Sequence, residues 1–170
     1  MDLHILGGEM ASRILSRAAL LRAVRRLRRA GKRIVTTNGS FDLLHIGHVR
    51  FLQRASRLGD VLIVLMNSDS SIRKLKGPAR PILPQRIRAE MMAALGCVDY
   101  VCIFNGDDPL SLLRAIQPDV HAKGGSWKPD RIAAEKQLVE TWGGQLRLFP
   151  MVGTHSTTKL IERIRCSSGR

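Results

Sequence analysis

His45 and His48 stand three positions apart, separated by Ile46 and Gly47 and preceded by Thr37-Asn38-Gly39-Ser40-Phe41-Asp42-Leu43-Leu44. A loop-plus-first-turn arrangement brings two imidazoles at this spacing toward one pocket, and each ring can donate a hydrogen bond to an oxyanion whether neutral or charged. Gly47 carries no side chain, so an anion can approach the backbone closely there. Helix N-termini bind anions through free N–H groups and the helix dipole. The stretch therefore suits nucleotide phosphates and points to chemistry on a nucleoside triphosphate. No Ser-His-Asp or Cys-His pattern accompanies it, so a protein nucleophile is not indicated.

The surrounding elements must place those rings. Arg33 to Thr37 is β-branched and reads as a strand, with Asn38-Gly39-Ser40 as the turn leaving its C-terminal end, where open α/β sheets bind ligands. Gly47 to Leu58 follows as a helix whose Val49, Phe51, Leu52, Ala55 and Leu58 share one side at the 3.6-residue period. Val61 to Met66 forms a second buried strand and closes a parallel βαβ unit. Ser68 to Arg80 is polar, basic and broken by Gly77-Pro78, which predicts a flexible loop. Further helices are expected over Pro84 to Leu95, Pro109 to Ile116, Pro129 to Trp142 and Ser156 to Arg165. Strands are expected over Asp99 to Phe104, Asp119 to Lys123 and Gln145 to Phe149. Strands alternating with helices through short connections give an α/β protein with a doubly wound, five-stranded parallel sheet.

Several motifs in order, namely Thr37 to His48, Asn67-Ser68-Asp69, Leu75-Lys76-Gly77, Arg80-Pro81, Gln85-Arg86, Ala122-Lys123-Gly124-Gly125 and Gly153-Thr154-His155-Ser156-Thr157-Thr158-Lys159, extend the pattern. Together they resemble the nucleotidyltransferase α/β phosphodiesterase superfamily, cytidylyltransferase-like in its last motif and Rossmann-like in fold. Within it the wording is most similar to the bacterial D-glycero-β-D-manno-heptose 1-phosphate adenylyltransferases, the counterpart of the second half of the bifunctional heptose kinase/adenylyltransferases. The resemblance runs from about Gly31 to about Ile164. It implies transfer of AMP from ATP to the sugar phosphate, giving ADP-heptose and pyrophosphate for lipopolysaccharide or another surface polysaccharide, with Mg²⁺ as the counter-ion of the triphosphate.

Residue by residue, the resemblance implies that His45 and His48 contact the triphosphate and the transition state, and that Lys76 closes over the phosphates. The other reading of Lys76 is a solvated loop lysine. Thr37, Asn38, Gly39, Ser40, Phe41 and Gly47 would floor the nucleotide site, and Arg86, Lys123, Gly124, Ser156, Thr157 and Thr158 would complete it. Asp42, Asn67, Asp69, Arg80, Gly125 and Trp127 would serve the sugar phosphate, with Asp42 orienting the loop rather than acting as a base. Trp127 reads equally well as a packing residue. Ser126 stands where an aspartate is usual in that loop. Met151-Val152-Gly153-Thr154-His155 lacks the arginine that cytidylyltransferases for glycerol phosphate or choline phosphate carry around this glycine. A cytidylyltransferase for an alditol or amino-alcohol phosphate is the rival within the superfamily.

Composition limits the remaining classes. A chain of 170 residues with 44% hydrophobic content holds one domain with a real core. Neither a Gly-x-x-x-x-Gly-Lys-Ser/Thr loop nor a Gly-x-Gly-x-x-Gly turn occurs, which disfavours P-loop kinases and dinucleotide dehydrogenases. Cys97, Cys102 and Cys166 have no metal-ligand spacing, and the scattered acids form no dedicated metal site. An odd cysteine count, no signal-peptide pattern and no membrane-length apolar run suit a cytoplasmic protein. Net charge is +14, and Arg13 to Arg33 holds eight arginines and one lysine with no acid. Residues 1–30 read as a basic amphipathic helical extension, 31–165 as the nucleotidyltransferase domain and 166–170 as a tail. The basic face reads as a solvated side of a helix packed on the domain, since no aromatics interleave it for nucleic-acid stacking. A polyanion-binding module without turnover is the rival of another class. The expected partners are ATP, a sugar phosphate and further copies of the chain as a homodimer or higher homo-oligomer.

Overall fold

The structure, a computed structural model, describes residues 12–125, 129–150 and 157–167. Its strands are β1 (Ile34–Gly39), β2 (Val61–Asn67), β3 (Tyr100–Phe104), β4 (Val120–Gly124) and β5 (Gln145–Phe149). Its helices are α1 (Arg17–Arg29), α2 (Ile46–Ser56), α3 (Asp69–Lys76), α4 (Gln85–Ala93), α5 (Leu110–Ile116), α6 (Pro129–Glu140) and α7 (Thr157–Ser167). All pairings are parallel in the order β3-β2-β1-β4-β5, so the chain winds one way from β1 and then returns to its other side at β4. The expected doubly wound α/β sheet is present.

The two-residue period of a strand sorts the core into two layers. Val35, Leu62, Val64, Met66 and Val101 face one way and pack with Leu52 and Ala55 of α2 and Ala89 and Met92 of α4. Ile34, Ile63, Leu65, Cys102 and Phe104 face the other way and pack with Leu20 and Val24 of α1, the apolar side of α5 and Val139 of α6. Every residue of β2 is buried, whereas β5 at the sheet edge is partly open. Continuous apolar strands are what a sheet covered on both faces requires.

The arginine-rich segment forms α1, but the side it buries is turned from the Ile14, Ala18, Leu21, Val24 and Leu27 face expected from periodicity, and Ala18 is exposed. Leu20, Ala23 and Val24 of α1 are buried while Arg22, Arg25, Arg26 and Arg29 remain exposed. Full burial of a leucine or valine side chain contributes about 1.5–3 kcal/mol. Ser16 caps the helix by accepting from the Ala19 N–H, and the Leu15 N–H donates to the Val101 carbonyl, tying the segment to the edge of β3. Among the described residues no helix is long and apolar enough to cross a membrane.

One element departs from expectation. The segment expected as a flexible loop from Ser68 to Arg80 forms α3 over its first two turns. Ser68 caps it by accepting from the Ser71 N–H, Asp69 lies in the first turn, and Arg73, Lys74 and Lys76 fill the last. Capping and charges matched to the helix dipole thus override a polar composition that looks loop-like. Gly77, at φ +92°, ends the helix in a conformation open mainly to glycine.

Candidate active site

β1 runs two residues further than expected. Asn38 and Gly39 remain in the ladder opposite Leu65 and Met66 of β2, and the turn begins at Ser40. A Cβ on Gly39 would lie 3.0 Å from the Phe41 ring, so a side chain there would push the ring aside by a few tenths of an ångström. Phe41 itself sits at φ +44°, which costs roughly 1–2 kcal/mol for a residue with a Cβ, and burial of its ring holds it there. The turn delivers His45 as the extended N-cap of α2, and the His45 carbonyl accepts from the His48 N–H at 2.9 Å.

Consequently the two imidazoles stack, with centroids 3.8 Å apart and planes 23° from parallel, while Phe41 meets the His48 ring edge-on at 5.4 Å. Desolvation, with the charges of His45 and Lys76 acting the same way, lowers the His48 pKa to about 4. His48 is therefore neutral at physiological pH, and its Nδ1 has no hydrogen-bond partner among the described residues. Lys76, although its residue is open to solvent, is desolvated enough that its pKa falls below the ordinary lysine value. Arg80 and Arg88 push in the same direction and Asp42 opposes.

A lock of charged groups frames this pair on the β2 side. Asp42 is buried; its carboxylate accepts from the Ile82 and Leu83 N–H groups at 2.9 Å each and from Arg80 Nε at 2.7 Å. Burial raises the pKa of this carboxyl, but the two backbone amides and Arg80 outweigh it, leaving it below the usual value. Arg88, fully buried, donates to the carbonyls of Ser40 at 2.5 Å, Asn67 at 3.0 Å and Leu83 at 3.0 Å and to Asp69 Oδ1 at 2.7 Å. It fastens the ends of β1 and β2 to α3 and to the loop before α4. Asn67 also donates to Ser71 Oγ at 3.0 Å, and the Asp69 N–H donates to Gln85 Oε1 at 3.0 Å.

On the β4 side, Lys123 Nζ donates to Asn38 Oδ1 at 2.7 Å and to Glu135 Oε1 at 2.8 Å. A Cβ on Gly124 would be 2.6 Å from the Phe51 ring, so α2 presses directly on the backbone of β4. The Gly125 N–H donates to the Phe149 carbonyl at 3.2 Å. Thr157, the first residue of α7, reaches the Leu43 carbonyl with its hydroxyl at 3.4 Å, which brings that helix start to the histidine loop. Ser126, Trp127, Ser156 and the side chain of Thr158 lie outside the described residues.

The structure thus gathers Asn38 to Asp42, His45, Gly47, His48, Asn67, Asp69, Lys76, Arg80, Lys123 and Gly124 around the carboxyl ends of β1, β2 and β4. Thr37 is buried in β1, and its hydroxyl has no hydrogen-bond partner among the described residues. Arg86 is directed to solvent, its side chain 88% exposed and paired with Glu90. Sequence reasoning missed Arg88, Glu135 and His121. Arg88 was legible, since it shares the helical phase of Met92 and Leu95 and so had to enter the core. Glu135 carries no such signal, because α6 has little amphipathic contrast to mark its inner side, and His121 stands in β4, where strand alternation does not say what covers its face. Among the described residues no three His, Cys, Asp or Glu side chains converge as metal ligands. A recess between α1 and the start of β3, lined by Arg13, Arg22, Arg26 and Tyr100, lies apart from the histidine pair; Arg13 there donates to the Ala93 and Val98 carbonyls.

Comparison with known proteins identifies the family and the fold. The family described as cytidylyltransferase-like fits residues 36–168. The protein named bifunctional protein HldE from Syntrophotalea carbinolica is 49% identical over 156 residues, covering 92% of this chain and 32% of that protein. Its namesake from Trichlorobacter lovleyi is 48% identical over 153 residues, covering 90% and 31%. The chain therefore spans about a third of the length of these relatives. A lipopolysaccharide core biosynthesis protein from Thermoplasma volcanium superposes with TM-score 0.61 at 26% identity, covering 74% of this chain and all of that one. A pantoate-β-alanine ligase from Francisella tularensis, at 13% identity and TM-score 0.57 over 91% and 77% of the two chains, shares the fold.

Proposed function

This chain belongs to the cytidylyltransferase-like family and is a nucleotidyltransferase, and on that footing we propose that it transfers AMP from MgATP to D-glycero-β-D-manno-heptose 1-phosphate, releasing pyrophosphate. The observation that carries the reading is the stacked His45–His48 pair at the start of α2, with the His48 ring desolvated. The sugar phosphate is already an anion, so it attacks the α-phosphorus without a general base. The protein has to align two mutually repelling phosphates and stabilise charge on the α-phosphoryl oxygens and the leaving pyrophosphate.

A neutral His48 suits that task because it does not repel Lys76 in the free enzyme. It donates one N–H to an α-phosphoryl oxygen, and the free N–H groups of the first turn of α2 add to that field. Lys76, at the end of α3, neutralises the triphosphate as charge moves to the leaving group. Gly77 is the pivot on which the Lys76 end of α3 closes. Asp42 and Arg80 hold the following loop, and the start of α7 at Leu43 offers a second anion site for the outer phosphates. Mg²⁺ enters as part of the ATP substrate, carried mainly by phosphates and water.

The heptose assignment is supported by the wording of the phosphate and glycine motifs and by the 48–49% identity to the HldE proteins. A surface-polysaccharide role is in keeping with the likeness to the Thermoplasma lipopolysaccharide core biosynthesis protein. The test is pyrophosphate release across a substrate panel. MgATP with the heptose 1-phosphate should exceed CTP with glycerol 3-phosphate by roughly 10⁴-fold, because a site built for several sugar hydroxyls leaves polar groups unpaired with a three-carbon acceptor. Equal turnover of the two pairs, or preference for CTP, would overturn the heptose reading.

A further inference from the structure

β1 and β4 are neighbours at the point where the strand order reverses, and the crevice above such a point is where doubly wound sheets take their ligands. Strand alternation puts Ile34, Thr36 and Asn38 of β1 and His121 and Lys123 of β4 on the face covered by α6. These polar side chains form one connected line. Thr36 Oγ1 lies 2.8 Å from His121 Nδ1, and His121 Nε2 lies 3.5 Å from Glu135 Oε2. Glu135 Oε1 then accepts from Lys123 Nζ, which also donates to Asn38 Oδ1.

His121 is wholly buried, and the side chains of Glu135 and Lys123 are 3% and 14% exposed. Setting a carboxylate in such a place is unfavourable before its partners are counted, and an apolar residue would fill the layer beside Val139 without that desolvation. Burial pushes the Glu135 carboxyl up, yet the facing His121 ring and the Lys123 ammonium more than offset it, and it stays ionised. Burial likewise holds His121 below its ordinary pKa, against the pull of Glu135. The line therefore carries one carboxylate and one ammonium at neutral pH.

An ammonium only donates, so the side-chain amide of Asn38 must turn its oxygen to Lys123. That fixes the two N–H donors of Asn38 on the side away from Lys123, where a free asparagine would be able to flip. We propose that Glu135 is a positioning residue of the nucleotide site: by clamping Lys123 it locks the Asn38 amide with its donors presented to acceptor oxygens of the bound nucleotide. This role rests on the nucleotidyltransferase reading above.

The test is a double-mutant cycle on the full chain with Glu135→Gln, Lys123→Met and the pair, reading KM for MgATP and kcat by pyrophosphate release, with melting temperature recorded for each. Glu135→Gln should raise KM about 10-fold while kcat changes by less than about 3-fold, as expected when ground-state and transition-state binding are lost together. Lys123→Met should do the same, and the double variant should show no further rise. Glu135→Asp, which keeps the carboxylate, should recover part of the loss. Asn38→Asp retains an oxygen for Lys123 but removes the donors, and it should raise KM on a scaffold that still folds. An unchanged KM in Glu135→Gln or in Asn38→Asp overturns the proposal. So does an undiminished effect of Glu135→Gln in the Lys123→Met background, or a KM that merely follows melting temperature. A wild-type protein that binds no MgATP by calorimetry is a separate result; it removes the nucleotidyltransferase reading and this role with it.

Discussion

Two clusters of polar side chains flank the end of β1 and differ in how their hydrogen-bonding capacity is used. In the lock formed by Asp42, Arg80, Arg88 and Asp69, both oxygens of Asp42 and all three nitrogens of the buried Arg88 guanidinium engage protein partners. In the histidine pair, packing and stacking fix the rings while Nδ1 of His48 is left without a protein hydrogen bond among the described residues. A buried group consumed by its neighbours builds shape. A half-buried ring fixed by shape, with an inaccessible polar atom unspent, is prepared for something that arrives.

If that contrast is right, removing Arg88 breaks the structure. Arg88→Met should cost about 3–5 kcal/mol of unfolding free energy, because the Ser40, Asn67 and Leu83 carbonyls and Asp69 lose their donor in a buried place. Urea unfolding measures this, and a loss below about 1 kcal/mol would erase the distinction between the clusters.

The histidine side should answer in the opposite way. His48→Ala should lower kcat by roughly 10²-fold, about 2.7 kcal/mol of transition-state stabilisation, with little change in ATP affinity. Its urea midpoint should stay close to wild type. A variant that keeps its rate but unfolds more easily would make His48 part of the framework.

The smallest effect sharpens the comparison by charge. A pKa of about 4 in the free protein lies below the ordinary histidine value, so the native state prefers neutral His48 and loses stability as pH falls from about 6.5 to about 4. A triphosphate beside the ring favours its protonated form. ATP binding at about pH 5.5 should therefore take up a fraction of a proton that His48→Ala does not, measured by calorimetry in buffers of different ionisation heat. Equal uptake by both proteins would assign the proton elsewhere.

The contrast also explains what can be read in the sequence. The histidine loop is legible because its chemistry, glycines and flanking apolar periods lie within one short stretch, and the strands are legible because apolar runs of strand length are bounded by turns. Asp42 is visible as a residue, but its partners Arg80, Ile82 and Leu83 are set by a tertiary approach that no local pattern encodes. Motif wording favours Arg86 over Arg88, although helical phase favours Arg88 for the interior. α3 reads as loop because only Ile72 and Leu75 are apolar there, and its ends are written in a cap and in charges. The Glu135 line depends on strand order, and strand order is fixed by packing of the whole sheet.

The meeting of Lys123 with Asn38 joins residues 85 positions apart in the chain. Closing so long a segment has an entropic cost that must be met before the contact returns anything, and parallel pairings of this kind slow folding. The β1–β2 half, with the histidine loop between its strands, is local by comparison and can organise first. The crevice between β1 and β4 cannot exist until the intervening strands and helices have docked. On the function proposed above, nucleotide affinity is thus a property of the finished sheet, and neither half of the molecule carries it alone.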